Sequence, residues 1–230
     1  MSQTYGKTRW KRFALVMVPS IAATAVVGVS IAQSALAASF SVSGQEFTVT
    51  TSHLRGTNFA QFGSVDVGSD KSPHVIAVSA FDHATIHDLC QSVVTDIPLL
   101  GKYTLVLHAG GAAEQNPSDD PSVTDPSTDS GQVQATNLLI DLDKLNADAT
   151  FTNINIGQDA STLQGSATKG WKDARGNGLP TGTSGFAQSA PNAALHNVLQ
   201  TAWATSAGTF KLPGLNLNIE QGDQTCKASS

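Results

Sequence analysis

Charge is scarce in this chain: Asp, Glu, Lys and Arg make up 13% of its 230 residues. Basic residues are scarcest beyond position 37, where nine Lys and Arg stand against 18 Asp and Glu, a formal charge of −9. That balance argues against nucleic acid as a partner and against an electrostatic hold on anionic lipid heads. Aromatic residues make up 6%. The chain has no Gly-x-Gly-x-x-Gly, no Walker loop, no Cys-x-x-Cys and no His-Glu-x-x-His, so the common nucleotide and metal signatures are absent. Gly-x-Ser-x-Gly is missing too; the nearest match, Gly182-Thr183-Ser184-Gly185, has no strand pattern before it. A serine hydrolase of the α/β type is therefore not written here, although a triad on another fold is defined by geometry rather than by motif.

Cysteine is nearly absent as well. Cys90 and Cys226 are the two, both in the part that follows the leader described next. An isolated pair in an oxidising compartment predicts a disulfide. Across 136 positions it would contribute about 5 kcal/mol at most by restricting the unfolded chain. The alternative is a reactive thiol at Cys90, near His87.

What is present begins with Lys7, Arg9, Lys11 and Arg12, followed by an uncharged run from Phe13 to Ala32 and then Ala35-Leu36-Ala37. Basic, apolar, small is the order of an export signal. The run is 20 residues, also long enough to span a bilayer. Residues 1–37 thus read as a cleaved signal peptide or as an N-terminal apolar helix anchoring the chain through 13–32. Either way residues 38–230 form a single exported domain outside the cytoplasm.

That domain reads as β. Phe47-Thr48-Val49-Thr50 alternates with period two, as do 74–79, 103–108, 138–142, 151–156 and 215–219, each bounded by Gly, Pro, Asn or Asp. Thr104-Leu105-Val106-Leu107 is nearly continuous in apolar character and predicts burial on both faces. Two polar insertions, 114–131 and 165–191, read as flexible. The first carries Asp119, Asp120, Asp125 and Asp129 without the spacing of a Ca²⁺ loop. The second holds Trp171, which reads either as a grip for a sugar or lipid or as a cap on an apolar patch.

An internal repeat decides one ambiguous segment. Ile86-His87-Asp88-Leu89-Cys90-Gln91-Ser92 aligns with Leu195-His196-Asn197-Val198-Leu199-Gln200-Thr201. Residues 194–203 have helical spacing, but the repeat favours strand and points to duplicated β units. Leu54-Arg55-Gly56-Thr57-Asn58-Phe59 echoes 145–151 more weakly. Period two predicts Ile86 and Leu195 in one core layer with Asp88 and Asn197, and His87 and His196 on the other face. A break in strand register is expected at Asp88 and Asn197. His83 and His87, four apart on a strand, stand too far from each other to share a metal.

The basic start, the single apolar segment, Leu54-Arg55-Gly56-Thr57-Asn58-Phe59, Asp88-Leu89-Cys90-Gln91-Ser92, Phe151-Thr152-Asn153-Ile154-Asn155-Ile156-Gly157-Gln158 and Gln200-Thr201-Ala202-Trp203 resemble an uncharacterised actinobacterial family of short exported proteins, typical of streptomycetes. The resemblance implies a neighbouring gene for a small multi-span membrane protein and supplies no catalytic residues. Some members carry the automatic label cholesterol esterase.

These readings combine into a mainly β chain of stacked or sandwiched antiparallel units, a short solenoid or a sandwich, preceded by one apolar helix. The expected role is non-catalytic: a structural or interaction protein of the cell envelope, binding a lipid, a small multi-span membrane protein or another envelope component. A secreted hydrolase of lipid or sterol esters and an extracytoplasmic lipid carrier are the alternatives. No catalytic residue, metal ligand or cofactor is assigned.

Overall fold

Alternation of β-branched and small polar residues runs further than the short segments visible in the sequence. The computed structural model describes residues 44–68, 71–111, 131–173 and 175–227. Residues 1–37, read as a signal peptide or anchor, lie outside them, as does nearly all of the first polar insertion. Nine strands form one antiparallel sheet: β1 Phe47–Val67, β2 Pro73–His87, β3 Leu89–Ile97, β4 Gly101–Ala109, β5 Val133–Thr152, β6 Asn155–Asp159, β7 Phe186–Ser206, β8 Thr209–Lys211 and β9 Asn216–Gln221. No described helix is long and apolar enough to cross a membrane.

The four longest strands close on themselves. β1 pairs with β2 and with β7, β2 pairs with β5, and β5 pairs with β7. From Leu54 one route runs through Ile86 to Val133, and the other through Leu195 to Ala149. The arrival points on β5 are 16 residues apart, so the ring closes with a large stagger and its strands tilt steeply. Four strands leave no lumen. A cavity of about 30 Å³ lies among Leu54, Ile86, Leu138, Ile140 and Val198, room for about one water.

Two apolar clusters hold the ring. Leu54, Phe59, Phe81, Ile86, Leu138 and Leu195 belong to the first. Gly56 belongs to this wall because a Cβ there would run into the Phe81 ring. The second contains Phe62, Ile76, Val78 and Leu139, and Leu163, Ala167 and Trp171 pack onto it. Trp171 is therefore a cap on an apolar patch, edge-on to Phe62 at 4.9 Å. Asp82 pins the covering segment: its Oδ1 accepts from the Ala167 N–H and its Oδ2 from Asn58 Nδ2, both at 2.8 Å.

The repeat has a clear structural meaning. Leu54 lies opposite both Ile86 and Leu195, His53 opposite both His87 and His196, Thr50 opposite both Cys90 and Leu199. The copies flank β1 within one sheet, and residues 194–203 are strand within β7. Asp88 and Asn197 both adopt φ of 51°, the left-handed region that short polar side chains tolerate, and the ladder skips both. The pairing is interrupted at both positions, but the register to β1 carries on unshifted across them; of the two, only Asn197 lies opposite a slip, between Asn146 and Asp148 of β5.

The face assignment is corrected. Asp88 and Asn197 are exposed, His87 is buried and His196 half-buried. The cause is a third imidazole that belongs to neither copy. His53 sits between them, stacked on His196 with ring centroids 4.3 Å apart and tilted against His87 at 5.3 Å. The histidines thus cover one another across three adjacent strands, while the left-handed residues turn outward.

Candidate interaction surface

Past Asp88 the chain leaves the ring. β3 keeps three pairs with β1 and then carries β4 and β9 outward as a three-stranded wing. Antiparallel partners share a face, so Ser92, Val94, Thr104 and Val106 form the inner one. The C-terminal tail crosses that face. Thr104 Oγ1 donates to the Gly222 carbonyl at 2.7 Å and accepts from the Gln224 N–H at 2.9 Å, and the Cys226 N–H donates to Ser92 Oγ at 2.9 Å. A disulfide joins Cys226 to Cys90, with Cα atoms 6.0 Å apart, within ordinary disulfide geometry.

The outer face is its opposite in character. Leu105 lies across from Ile219, and Leu107 across from Leu217. Leu107 packs on the ring's first cluster. Beyond it the apolar row runs into solvent: Leu105 is 39% exposed, Leu217 53% and Ile219 72%. This corrects the expectation that Thr104-Leu105-Val106-Leu107 is buried on both faces. The apolar run is real, but the tail covers only one side.

On the same face Thr95 and Tyr103 come next, and beyond them lies the β3–β4 turn. Ile97, Pro98, Leu99 and Leu100 carry no charge, and Leu99 is fully exposed at 105%. The Leu100 N–H donates to the Ile97 carbonyl at 3.0 Å, and Leu99 has φ of 73°. Pro at the second position and positive φ at the third is the pattern of a type II turn, which wants Gly or Asn where Leu99 stands. The side chain is held out at the tip against local backbone preference.

A polar cluster lies at the other end of β1. Asp66 faces His74 in the β1–β2 ladder, and His74 stacks on Trp203 at 3.8 Å and contacts Ser72 Oγ through Nε2 at 3.1 Å. Burial pushes the Asp141 carboxyl up to about 8, helped by repulsion from Asp66 and by the hydrogen bond between the two. Burial also raises Asp66. The pair therefore shares a proton at neutral pH.

The remaining candidate residues separate. His83 is exposed and His87 buried, and no group of three His, Cys, Asp or Glu among the described residues could hold a metal. Ser184 is exposed in a single 3₁₀ turn, its hydroxyl donating to the Thr181 carbonyl at 3.0 Å. Asp119, Asp120, Asp125 and Asp129 lie outside the described residues. Sequence reasoning missed the outer face. The signal was the apolar run of β4 beside the alternating Leu215-Asn216-Leu217-Asn218-Ile219.

The fold gives the class: a closed four-stranded ring with a wing whose outer apolar face is open. The chain belongs to a family of unknown function, DUF6230, which matches residues 43–227. No curated protein and no solved structure matches it.

Proposed function

We propose that the chain is an exported, non-catalytic protein of the cell envelope that docks to another envelope component through the outer face of β3, β4 and β9. One observation carries the reading: Leu105, Leu217 and Ile219 stand in a row on a sheet face open to solvent. Contiguous open apolar surface marks interaction sites, and β9 at the sheet edge would otherwise invite aggregation. Export is supported by the basic, apolar, small order of residues 1–37 and by the disulfide, a bond that persists in oxidising compartments. The test is a membrane-impermeant maleimide applied to intact producing cells. Val75→Cys, at an exposed position of β2, should react from outside. Ile219→Cys should be shielded in cells and reactive in the detergent-purified chain. An unreactive Val75→Cys overturns export, and equal reactivity of the two overturns the docking face.

The contact between Ser72 and His74, with Asp66 across the ladder, favours ester hydrolysis as a second reading. Ser72 and His74 are two residues apart, a spacing at which neighbouring side chains meet without any catalytic design. A fluorophosphonate that labels Ser72, together with ester turnover lost in Ser72→Ala, would replace the first reading. A lipid carrier is disfavoured, because a cavity of about 30 Å³ inside the ring has no room for an acyl chain.

A further inference from the structure

We infer that a cleft beside the C-terminal tail binds the phosphate ester of a small polyol. This site goes beyond the docking reading and does not depend on it. The cleft, of about 400 Å³, lies where β1, β5 and β7 meet the tail. Thr48, in its lining, faces Ser92 across β1 and β3, so the cleft opens on the face that the tail crosses and not on the open apolar one. Lys144 of β5 and Lys227 of the tail both line it, and among the described residues no Asp or Glu does. Beyond position 37 acids outnumber bases by 18 to nine. A lining with two ammonium groups and no carboxylate runs against that composition.

An irregularity of β5 turns the first lysine to the cleft. Leu142 lies opposite Ala202, and Lys144 opposite Thr201. β5 thus uses two residues where β7 uses one, and Asp143 is the extra one, a bulge. Without it Lys144 would share the buried face of Leu142. With it Lys144 takes the face of Thr201, which in turn lies opposite Thr48. Leu142 and Leu145, three apart, both pack in the first apolar cluster, which shows the same change of face. The second lysine is positioned by its neighbour. Cys226 is bonded to Cys90, and its N–H donates to Ser92 Oγ at 2.9 Å. Two ammonium groups therefore reach one cleft, one from a strand and one from a covalently held tail.

The chemistry of the lining selects the ligand. An ammonium is a compact charge with three donors, and two of them from different directions suit a tetrahedral phosphate. A planar carboxylate is better matched by the fork of an arginine, and among the described residues no Arg lines the cleft. Thr48, Thr201 and Asn146 add hydroxyl and amide groups that fit the hydroxyls of a polyol. Thr225 is not among these donors, because its hydroxyl and N–H both go to Asp223 Oδ1, at 2.5 and 3.2 Å. The volume falls in the range that holds small ligands. A charge of −9 beyond position 37 opposes approach to an anionic surface, so the source is a soluble ester rather than a lipid head.

The test is calorimetric titration of the full-length chain, disulfide intact, in a neutral detergent. Glycerol phosphate is the probe, and phosphorus NMR of the probe checks the result. Binding should saturate, weaken with salt, and fall about tenfold in Lys144→Gln and again in Lys227→Gln. Lys211→Gln removes the same charge from β8 and should bind as the parent does. Glycerate and inorganic phosphate should each bind more weakly than glycerol phosphate. Phosphatidylglycerol vesicles should not displace the probe; displacement would overturn the soluble source and leave the site standing. No saturable binding, or binding that both cleft variants keep, overturns the site. An equal loss in Lys211→Gln overturns it in favour of diffuse attraction. Glycerate binding as tightly as the probe overturns phosphate as the group recognised, and inorganic phosphate doing so overturns the polyol.

Discussion

Asp141 keeps its proton at neutral pH because burial and the neighbouring Asp66 carboxylate both oppose ionisation. The unfolded chain titrates it near 3.8, the folded one near 8. Between those values folding takes up a proton, so its contribution to stability is complete at low pH and declines as pH rises toward 8, by on the order of 1 kcal/mol per pH unit. Asp141→Asn keeps the shape and the hydrogen bond to Asp66 without the proton. Urea titrations at pH 5, 7 and 9 should show the native chain weakening with pH and the variant holding nearly level. A parallel decline in both would mean that the carboxyl pair is not the cause. The histidine stack makes a second residue-level case. Leu195→Ala empties part of the ring core and should cost about 2–5 kcal/mol. His196→Ala removes a half-buried ring from His53 and should cost about 0.5–1.5 kcal/mol, more than an exposed side chain would. Thermal melts of the two rank them.

At the scale of elements, the β3–β4 hairpin carries local strain. Leu99 holds a positive φ that costs a leucine about 1–2 kcal/mol. Leu99→Asn should therefore raise the unfolding free energy by up to about 1 kcal/mol, read by urea titration. A variant that is less stable than the parent would show that the leucine packs locally and is no exposed spike. The strands themselves were legible because β-branched alternation is a local property. So was the disulfide, since a lone pair of cysteines leaves one partner for each. The interruptions of pairing at Asp88 and Asn197 could be read, because short polar side chains inside an apolar repeat need somewhere to turn, but the register to β1 is kept across them. The faces could not be read. Which side of β2 or β7 is buried depends on His53, from a strand that lies between the copies and resembles neither. Likewise the apolar run of β4 indicates what the side chains are, but only the path of the C-terminal tail tells which of its faces is covered.

For the whole molecule the deciding feature is closure, and closure is invisible locally because it joins β1 to β7 across most of the chain. A closed ring has no edge from which to fray, whereas the wing ends at β9 and is held from below by a tail bonded through Thr104, Ser92 and Cys90. Two levels of local stability follow. Amide hydrogen exchange should find β1, β2, β5 and β7 protected together, at the free energy of global unfolding, and β4 and β9 opening earlier as a unit. Reduction of the disulfide frees the tail, so the Gln224 and Cys226 amides should lose protection first and the β4–β9 pairs next. The ring should keep its internal order of exchange while global stability falls by up to about 5 kcal/mol. The measurement is exchange followed by proteolytic mass spectrometry on oxidised and reduced full-length protein. Uniform exchange across ring and wing in both states would mean that the wing is an integral part of one cooperative sheet.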